Sequence, residues 1–399
     1  MLLPTTQRST LSAAQHRATE RARVAVAVAF ALNGVAFASW VSRMPAIKAE
    51  LGLTAGQTGL LLLCLSVGAL IALPLASALV HRMGPARAVA AGVASVTAGA
   101  LLIALGVRLV LVPVVGAGLV VSGLGMSTWD VAMNVEGADV ERRLARTLMP
   151  RFHAAFSLGT VAGALLGAAA AAGGVRVTAQ LAVTAPLVAA VASVALRSFP
   201  HVDGAQHDEC GGRSPLLAAW RDSRVRLVGV LVLAFALTEG VANDWLALAV
   251  TDDLDAAEWL GSFTFGVFVA AMTVMRFIGG WFLQRFGRVA VLRTTAGVAI
   301  AGVLLVVTAP TVPLAIAGAV LWGAGASLGF PVGMSAAADD PSWAAARVSV
   351  VSTIGYTAFL AGPPLVGLLA DQVGLQPALL VVVLAGGVGI LAAPSTRLR

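Results

Sequence analysis

Several ionisable side chains of this sequence sit where their neighbours are oil-like. Asp130 lies in the run from Leu109 to Val135, which is otherwise uncharged and long enough to cross a bilayer. A charge at the centre of a spanning helix costs roughly 2.5–3.5 kcal/mol on insertion scales, so a carboxyl kept there is expected to have a task. Asn134 follows one helical turn later and shares its face. Glu239 and Asp244 lie in another apolar run. Asn243 is one turn from Glu239, and Asp244 is about 140° further round at about 100° per residue. Removal from water favours the neutral form of a carboxyl and brings it toward the range where protons are bound and released. Proton exchange is the chemistry expected of Asp130, Glu239 and Asp244; the alternative for each is a structural carboxylate paired with an arginine. His153, beside Arg151, opens a further apolar run at a depth comparable with Asp130 and is either a relay partner or an interface anchor. Glu136, nearer the helix end, reads as a solvated cap.

Solute contacts come from a second set. Asn33, Asn134 and Asn243 are hydrogen-bonding candidates inside apolar runs. Trp40, Trp129, Trp245 and Trp322 offer faces for stacking on a ring. The first three lie toward run ends, where an interfacial belt explains them equally well, while Trp322 is deeper. The stretch Gly323–Met334 repeats Gly123–Asn134 in its small residues, with Phe330 in place of the acid.

The elements that position these residues follow from composition. Hydrophobic residues make up 59% of the chain and charged ones 11%, and the mean hydropathy is +0.92. An ordinary soluble domain would not show these values. Apolar runs of about 20 residues alternate with short polar loops, which predicts an all-α membrane protein. Twelve spans are expected near 24–43, 58–80, 88–107, 110–135, 152–172, 177–196, 226–250, 261–283, 289–309, 312–337, 347–369 and 375–393. With both termini cytoplasmic, all but five of the 26 Lys and Arg fall inside; Arg43, Lys48, Arg108 and Arg176 fall outside, and Arg276 lies within the eighth span. The net charge of +7 therefore reports orientation rather than a nucleic-acid partner. The expected location is the inner (plasma) membrane as a multi-pass monomer in the bilayer. Cys64 lies in the second span and Cys210 in the central loop, a placement that does not suit a disulfide.

The chain is internally duplicated. FALNGVAFASW (Phe30 to Trp40) returns as FALTEGVANDW (Phe235 to Trp245), and HRMG (His81 to Gly84) as QRFG (Gln284 to Gly287). Gly163 and Gly167 are answered by Pro363 and Gly367, so the matches share offsets of about 200 to 205 residues. The expected organisation is a cytoplasmic tail over 1–23, a six-helix bundle over 24–196, a cytoplasmic linker over 197–225 and a second bundle over 226–399. Glycine at four-residue spacing in the fifth span predicts close helix packing.

Two six-span halves with R-x-G after the second span (Arg82, Gly84) and the eighth (Arg285, Gly287) resemble the major facilitator superfamily. Within it, the chain resembles the fucose–proton symporter branch. The residues that carry the likeness are DVAMN (Asp130 to Asn134), RFIGGWFLQRF (Arg276 to Phe286), Phe330–Pro331 and PLVGLLADQVG (Pro364 to Gly374), with Gly34 and Pro45 in the first span region. The loop motif departs from the family's usual acid with His81 and Gln284, and no acid occupies the first span near Trp40. The resemblance implies that spans one, four, seven and ten line a central cavity. It also implies gating roles for Arg82, Gly84, Arg285, Gly287 and Arg276, the last able to meet Asp130 or an anionic group.

Enzyme signals fail. Gly325 to Gly329 matches G-x-S-x-G, but inside an apolar helix rather than a strand-to-helix elbow. His201, Asp203, His207, Asp208, Glu209 and Cys210 match no standard metal spacing and read as a polar linker. The only lysine, Lys48, has no glycine-rich run before it, so no phosphate loop exists. No cofactor is expected beyond a proton gradient. The sequence reads as a secondary transporter, with proton-coupled uptake of a small sugar-like solute expected and proton-coupled efflux of a drug or metabolite as the alternative.

Overall fold

In the computed structural model, residues 13–144, 146, 148–199, 213–340 and 343–397 are described. Among them are twelve helices long and apolar enough to span a membrane, and no strand. The first half comprises Ala13–Val41, Ala55–Met83, Pro85–Leu109, Val112–Leu144, Met149–Ala172 and Val177–Leu196. The second comprises Ser223–Asp253, Glu258–Phe286, Arg288–Val307, a tenth span in two pieces (Val312–Ala326 and Gly329–Ala337), Ala344–Val373, and a last span built from Leu375–Ala378 and Val381–Ala392. Short helices Met44–Leu51 and Arg213–Arg221 connect elements.

Three features differ from the sequence expectation. The first helix begins at Ala13, so part of the expected tail is helical; His16, Arg17, Glu20, Arg21 and Arg23 there are good helix formers or helix-compatible, and no Gly or Pro interrupts them. The tenth span breaks at Ser327–Leu328 within the Gly, Ala and Ser run. The helix Arg213–Arg221 lies in what was expected to be linker. His201, Asp203, His207, Asp208, Glu209 and Cys210 lie outside the described residues.

The R-x-G motifs have a backbone explanation. Gly84 (φ 80°, ψ 162°) closes the second helix and opens the third as a single residue, and Gly287 (φ 78°, ψ 160°) does the same between the eighth and ninth. Gly374 (φ 88°, ψ 161°) repeats it between the eleventh and twelfth. This region of backbone space is essentially closed to residues with a Cβ.

Within each half, helices meet where side chains are missing. A Cβ on Gly99 would lie 2.6 Å from the carbonyl of Gly118, and one on Gly125 2.7 Å from that of Gly92, locking the third span to the fourth. The ninth and tenth spans repeat the device with Gly302 and Gly318. Gly159 abuts the Ala31 carbonyl where the fifth span crosses the first.

The hydrophobic cores differ at the two ends of the molecule. At the end away from the termini one core joins both halves, with Trp40, Met44, Ile47 and Leu61 of the first packed in the same cluster as Trp245, Leu246, Phe265 and Phe268 of the second. At the terminus end the cores are separate: Phe30, Val89, Met133, Val140 and Phe152 in the first half, and Leu231, Phe235, Leu292 and Val332 in the second. The molecule is closed at the far end, with the halves parted toward the termini.

Close crossing makes a specific prediction. Gly159→Ala should lower the unfolding midpoint of the detergent-purified protein, as overpacking of a tight contact costs about 1–3 kcal/mol. Gly280→Ala, whose Cβ would meet nothing within 4 Å, should leave it unchanged. Equal midpoints for the two variants would contradict this packing account.

Candidate functional site

Asp130 is exposed although it lies in mid-helix, and its charge is within electrostatic reach of Tyr356 on the eleventh span, in the other half. It therefore faces the cleft rather than lipid. Among the described residues its one hydrogen-bonding partner is Asn134, whose Nδ2 donates to the Asp130 carbonyl at 2.8 Å and to Oδ1 at 3.2 Å. The turn spacing that put both groups on one face thus also orients the carboxylate. Opposite, Tyr356 sits between Phe330 of the broken tenth span (ring centroids 6.2 Å apart) and Phe359 (6.4 Å). Tyr356 is the chain's sole tyrosine, and that rarity in the middle of an apolar helix was the available signal for it.

Glu239 is arranged differently. It accepts from Arg276 at 3.0 and 3.2 Å, an ion pair inside the second half. Arg276 Nε also donates to the Ser327 carbonyl at 3.2 Å, at the break of the tenth span. Broken helices leave backbone groups that need partners in a membrane, and this arginine supplies one while tying spans seven, eight and ten together. Arg276 therefore meets Glu239, not Asp130. His153 is exposed, packs edge-on against Phe30 at 5.2 Å and is within electrostatic reach of Arg276. Asp244 is half-buried and has no polar partner among the described residues, and the same holds for Asn243.

The tryptophans are packing elements in this conformation. Trp322 is fully buried, donates Nε1 to the Thr238 carbonyl at 2.9 Å and meets Phe268 edge-on. Trp40 and Trp245 belong to the shared far-end core, and Trp129 packs over Gly92. Asn33 is buried with its Nδ2 unpartnered among the described residues. Glu136, expected to be a solvated cap, is 0% exposed with both carboxylate oxygens lacking a partner among the described residues. The helix continues to Leu144, well past the expected span end at 135, so Glu136 is covered by further turns and by packing. Its neighbour Glu141 does cap a helix, accepting from the Leu148 and Met149 amides at the start of the fifth span.

The residues expected to act in gating differ in their surroundings. Arg82 and Arg285 are exposed, the latter over the Phe286 ring at 5.8 Å. The ties at the terminus end of the second half are instead Arg288 and Arg224, both on Asp339, at 2.9 and 3.3 Å, and Arg347 with Asp222 and Asp340. Across the halves, the hydrogen bonds among the described residues lie from mid-depth to the far end. Arg43, 2% exposed, pairs with Glu258 and donates to Gln180 and to the Val175 carbonyl. Lys48 pairs with Asp252. Asp371 accepts from Thr54 Oγ1 at 3.0 Å and from the Gly56 amide at 2.9 Å, at the positive end of the second helix. Ser262 donates to the Ser42 carbonyl, and Ser66 to that of Phe359 at 2.7 Å.

Two pseudo-symmetric six-helix halves, joined at one end over a cleft that exposes a carboxylate at mid-depth, have the architecture of a membrane transporter. The chain matches the family model of the Major Facilitator Superfamily over residues 24–341 and 228–398, and it belongs to that family. An uncharacterized transporter, y4wD, of Sinorhizobium fredii is 31% identical over 373 residues, 92% of this chain and 96% of the relative. A point mutant of the nucleoside transporter NupG superposes with a TM-score of 0.78 at 12% identity, covering 94% of this chain and 98% of its own. A point mutant of the E. coli fucose:proton symporter FucP does so at 0.64 and 16%, again with 94% and 98% covered. At these identities the two solved structures speak for the fold. The expected likeness to the fucose symporter is present at that level.

The far-end latch predicts a conformational response. On a Cys64→Ser, Cys210→Ser background, a Thr58→Cys reporter at the buried far end of the second span should react slowly with a membrane-impermeant maleimide. Adding Glu258→Gln should speed labelling about tenfold, since a charge-assisted bond is worth about 1.5–3 kcal/mol. Unchanged labelling would remove Arg43–Glu258 from the latch.

Proposed function

We propose that this transporter carries a small polar, sugar-like solute in symport with protons, in the cell membrane, with both termini cytoplasmic and the cleft facing the cytoplasm in this conformation. The observation that supports this most is Asp130: a carboxylate at mid-depth, open to the cleft and without a cationic partner among the described residues. An acid so placed is costly in its charged form while the cleft is dry and tolerable once water enters, so protonation and cleft opening become linked. Asn134 holds the acid's orientation, and Tyr356 supplies a hydroxyl and a ring edge across the cleft, a pairing suited to a polyol's mixed surface.

Glu239 contributes through Arg276. Loss of its charge frees the guanidinium from one side of the joint at the tenth-span break, which gives the second half its own response to protonation. Asp244 and Asn243 lie farther along the seventh span, where the solute path ends against the latch. His153 lies within electrostatic reach of Arg276 across the cleft. No covalent chemistry is assigned to the chain, and the gradient supplies about 2.3 kcal/mol per charge per 100 mV. Fold neighbours bearing nucleoside, fucose and xylose transporter names agree with a polar cargo.

A thermal-stabilisation screen over sugars, polyols, nucleosides and hydrophobic drugs identifies the cargo, with saturating ligand at a hundredfold its Kd worth about 2.7 kcal/mol. In vesicles with an imposed pH gradient, Asp130→Asn should reduce gradient-driven accumulation of that cargo at least a hundredfold while solute exchange without a gradient survives. Full gradient-driven uptake by Asp130→Asn would exclude Asp130 as the coupling site. Stabilisation by drugs alone, with none by sugars or nucleosides, would replace the uptake reading with efflux.

A further inference from the structure

Outside the cleft, a groove of about 560 Å³ runs between the first and sixth helices at the terminus end. Its lining is Glu20, Arg21, Val24, Ala25 and Val28 from one helix, and Val191, Val194, Ala195 and Ser198 from the other, with Arg23 at the rim. These positions form an i, i+4, i+8 stripe on the first helix and an i, i+3, i+7 stripe on the sixth, so two parallel ridges bound the groove over eight residues, about 12 Å. A single bilayer leaflet offers about 15 Å of hydrocarbon.

The two ends of the groove differ in chemistry. Its floor is apolar, with Val24, Val191 and Val194 exposed at 53%, 41% and 62% on helices whose composition places them in the bilayer. Its mouth is cationic. Glu20 is already neutralised by Arg23 at 2.6 Å and Arg146 at 3.3 Å. Arg21, in the groove, and Arg197, next to the lining Ser198, are both exposed and have no ion-pair partner among the described residues. An apolar slot nearly as deep as a leaflet, with an unpaired guanidinium in its lining and a second on the residue that precedes its lining Ser198, is complementary to a molecule with an anionic head and a hydrocarbon tail.

We infer that this groove binds one anionic phospholipid, with an acyl chain between Val24 and Val194 and the phosphate on Arg21 and Arg197. Guanidinium groups suit the phosphate geometry, and the apolar floor rejects a free ion. The site is separate from the cleft, so it does not depend on the identity of the transported solute.

Native mass spectrometry of the full chain, released from detergent with phosphatidylglycerol or phosphatidylcholine, tests this. Wild type should retain one phosphatidylglycerol in preference to phosphatidylcholine by about thirtyfold, roughly fivefold for each arginine. Arg21→Gln with Arg197→Gln should remove that preference. Val24→Trp with Val194→Trp, which fills the slot and leaves every charge in place, should also lose the bound lipid. The assignment is overturned if the arginine variant keeps the preference, if the filled groove still holds the lipid, or if inorganic phosphate alone protects the protein from heating as well as phosphatidylglycerol does.

Discussion

Unmatched charge is expensive in a bilayer, and nearly every feature of this molecule can be traced to where that cost is met and where it is left standing. At the far end, Arg43 and Lys48 of the first half are neutralised by Glu258 and Asp252 of the second. Arg43 can be buried there because Glu258, Gln180 and a carbonyl surround it. In the second half, Arg276 is tolerable at mid-depth because Glu239 and the freed Ser327 carbonyl receive it. Among the described residues, Asp130 has only Asn134. Pairing at one end and its absence at the centre are the two sides of that distribution, and the proposed coupling rests on the contrast between them.

Duplication explains how such a device is built from few residue types. Gly84, Gly287 and Gly374 make the same helix-to-helix turn at three places, and glycine pairs lock the third span to the fourth and the ninth to the tenth in the same way. The halves differ where function needs asymmetry. Asp130 of the fourth span has its counterpart in the apolar Phe330, which follows a helix break rather than lying in a continuous helix. Glu239 stands where the first half has Gly34, and Gly34 must be small because the fifth span's Phe156 carbonyl lies against it. One copy of the repeat kept a close crossing; the other gained an ion pair.

The spans were legible because a 20-residue apolar run has few alternatives, and Asp130 with Asn134 was legible because an acid and an amide one turn apart must share a face. The break at Ser327 had a partial signal in Pro331, which has no N–H for the Ser327 carbonyl one turn earlier, but a proline in a membrane span marks a passive kink as readily as a break. The latch was not legible. Arg43, Lys48, Asp252, Glu258 and Asp371 belong to loops and helix ends more than 200 residues apart, and helical periodicity carries no information about partners across the two halves. Trp322 misled for a related reason: depth in a span shows that a side chain is surrounded, while the Thr238 carbonyl and Phe268 show by what. For Glu136, closeness to the expected span end suggests water, and the helix simply runs further.

The central claim is that protonation of an unpaired mid-depth carboxylate and movement of solute are one event. Counting both fluxes in the same vesicles tests it most directly, with internal pH and solute content followed together at several imposed gradients. A fixed ratio of protons to solute, unchanged across gradients and abolished together by a protonophore, is the predicted result. Solute accumulation that persists with the pH gradient collapsed would contradict it.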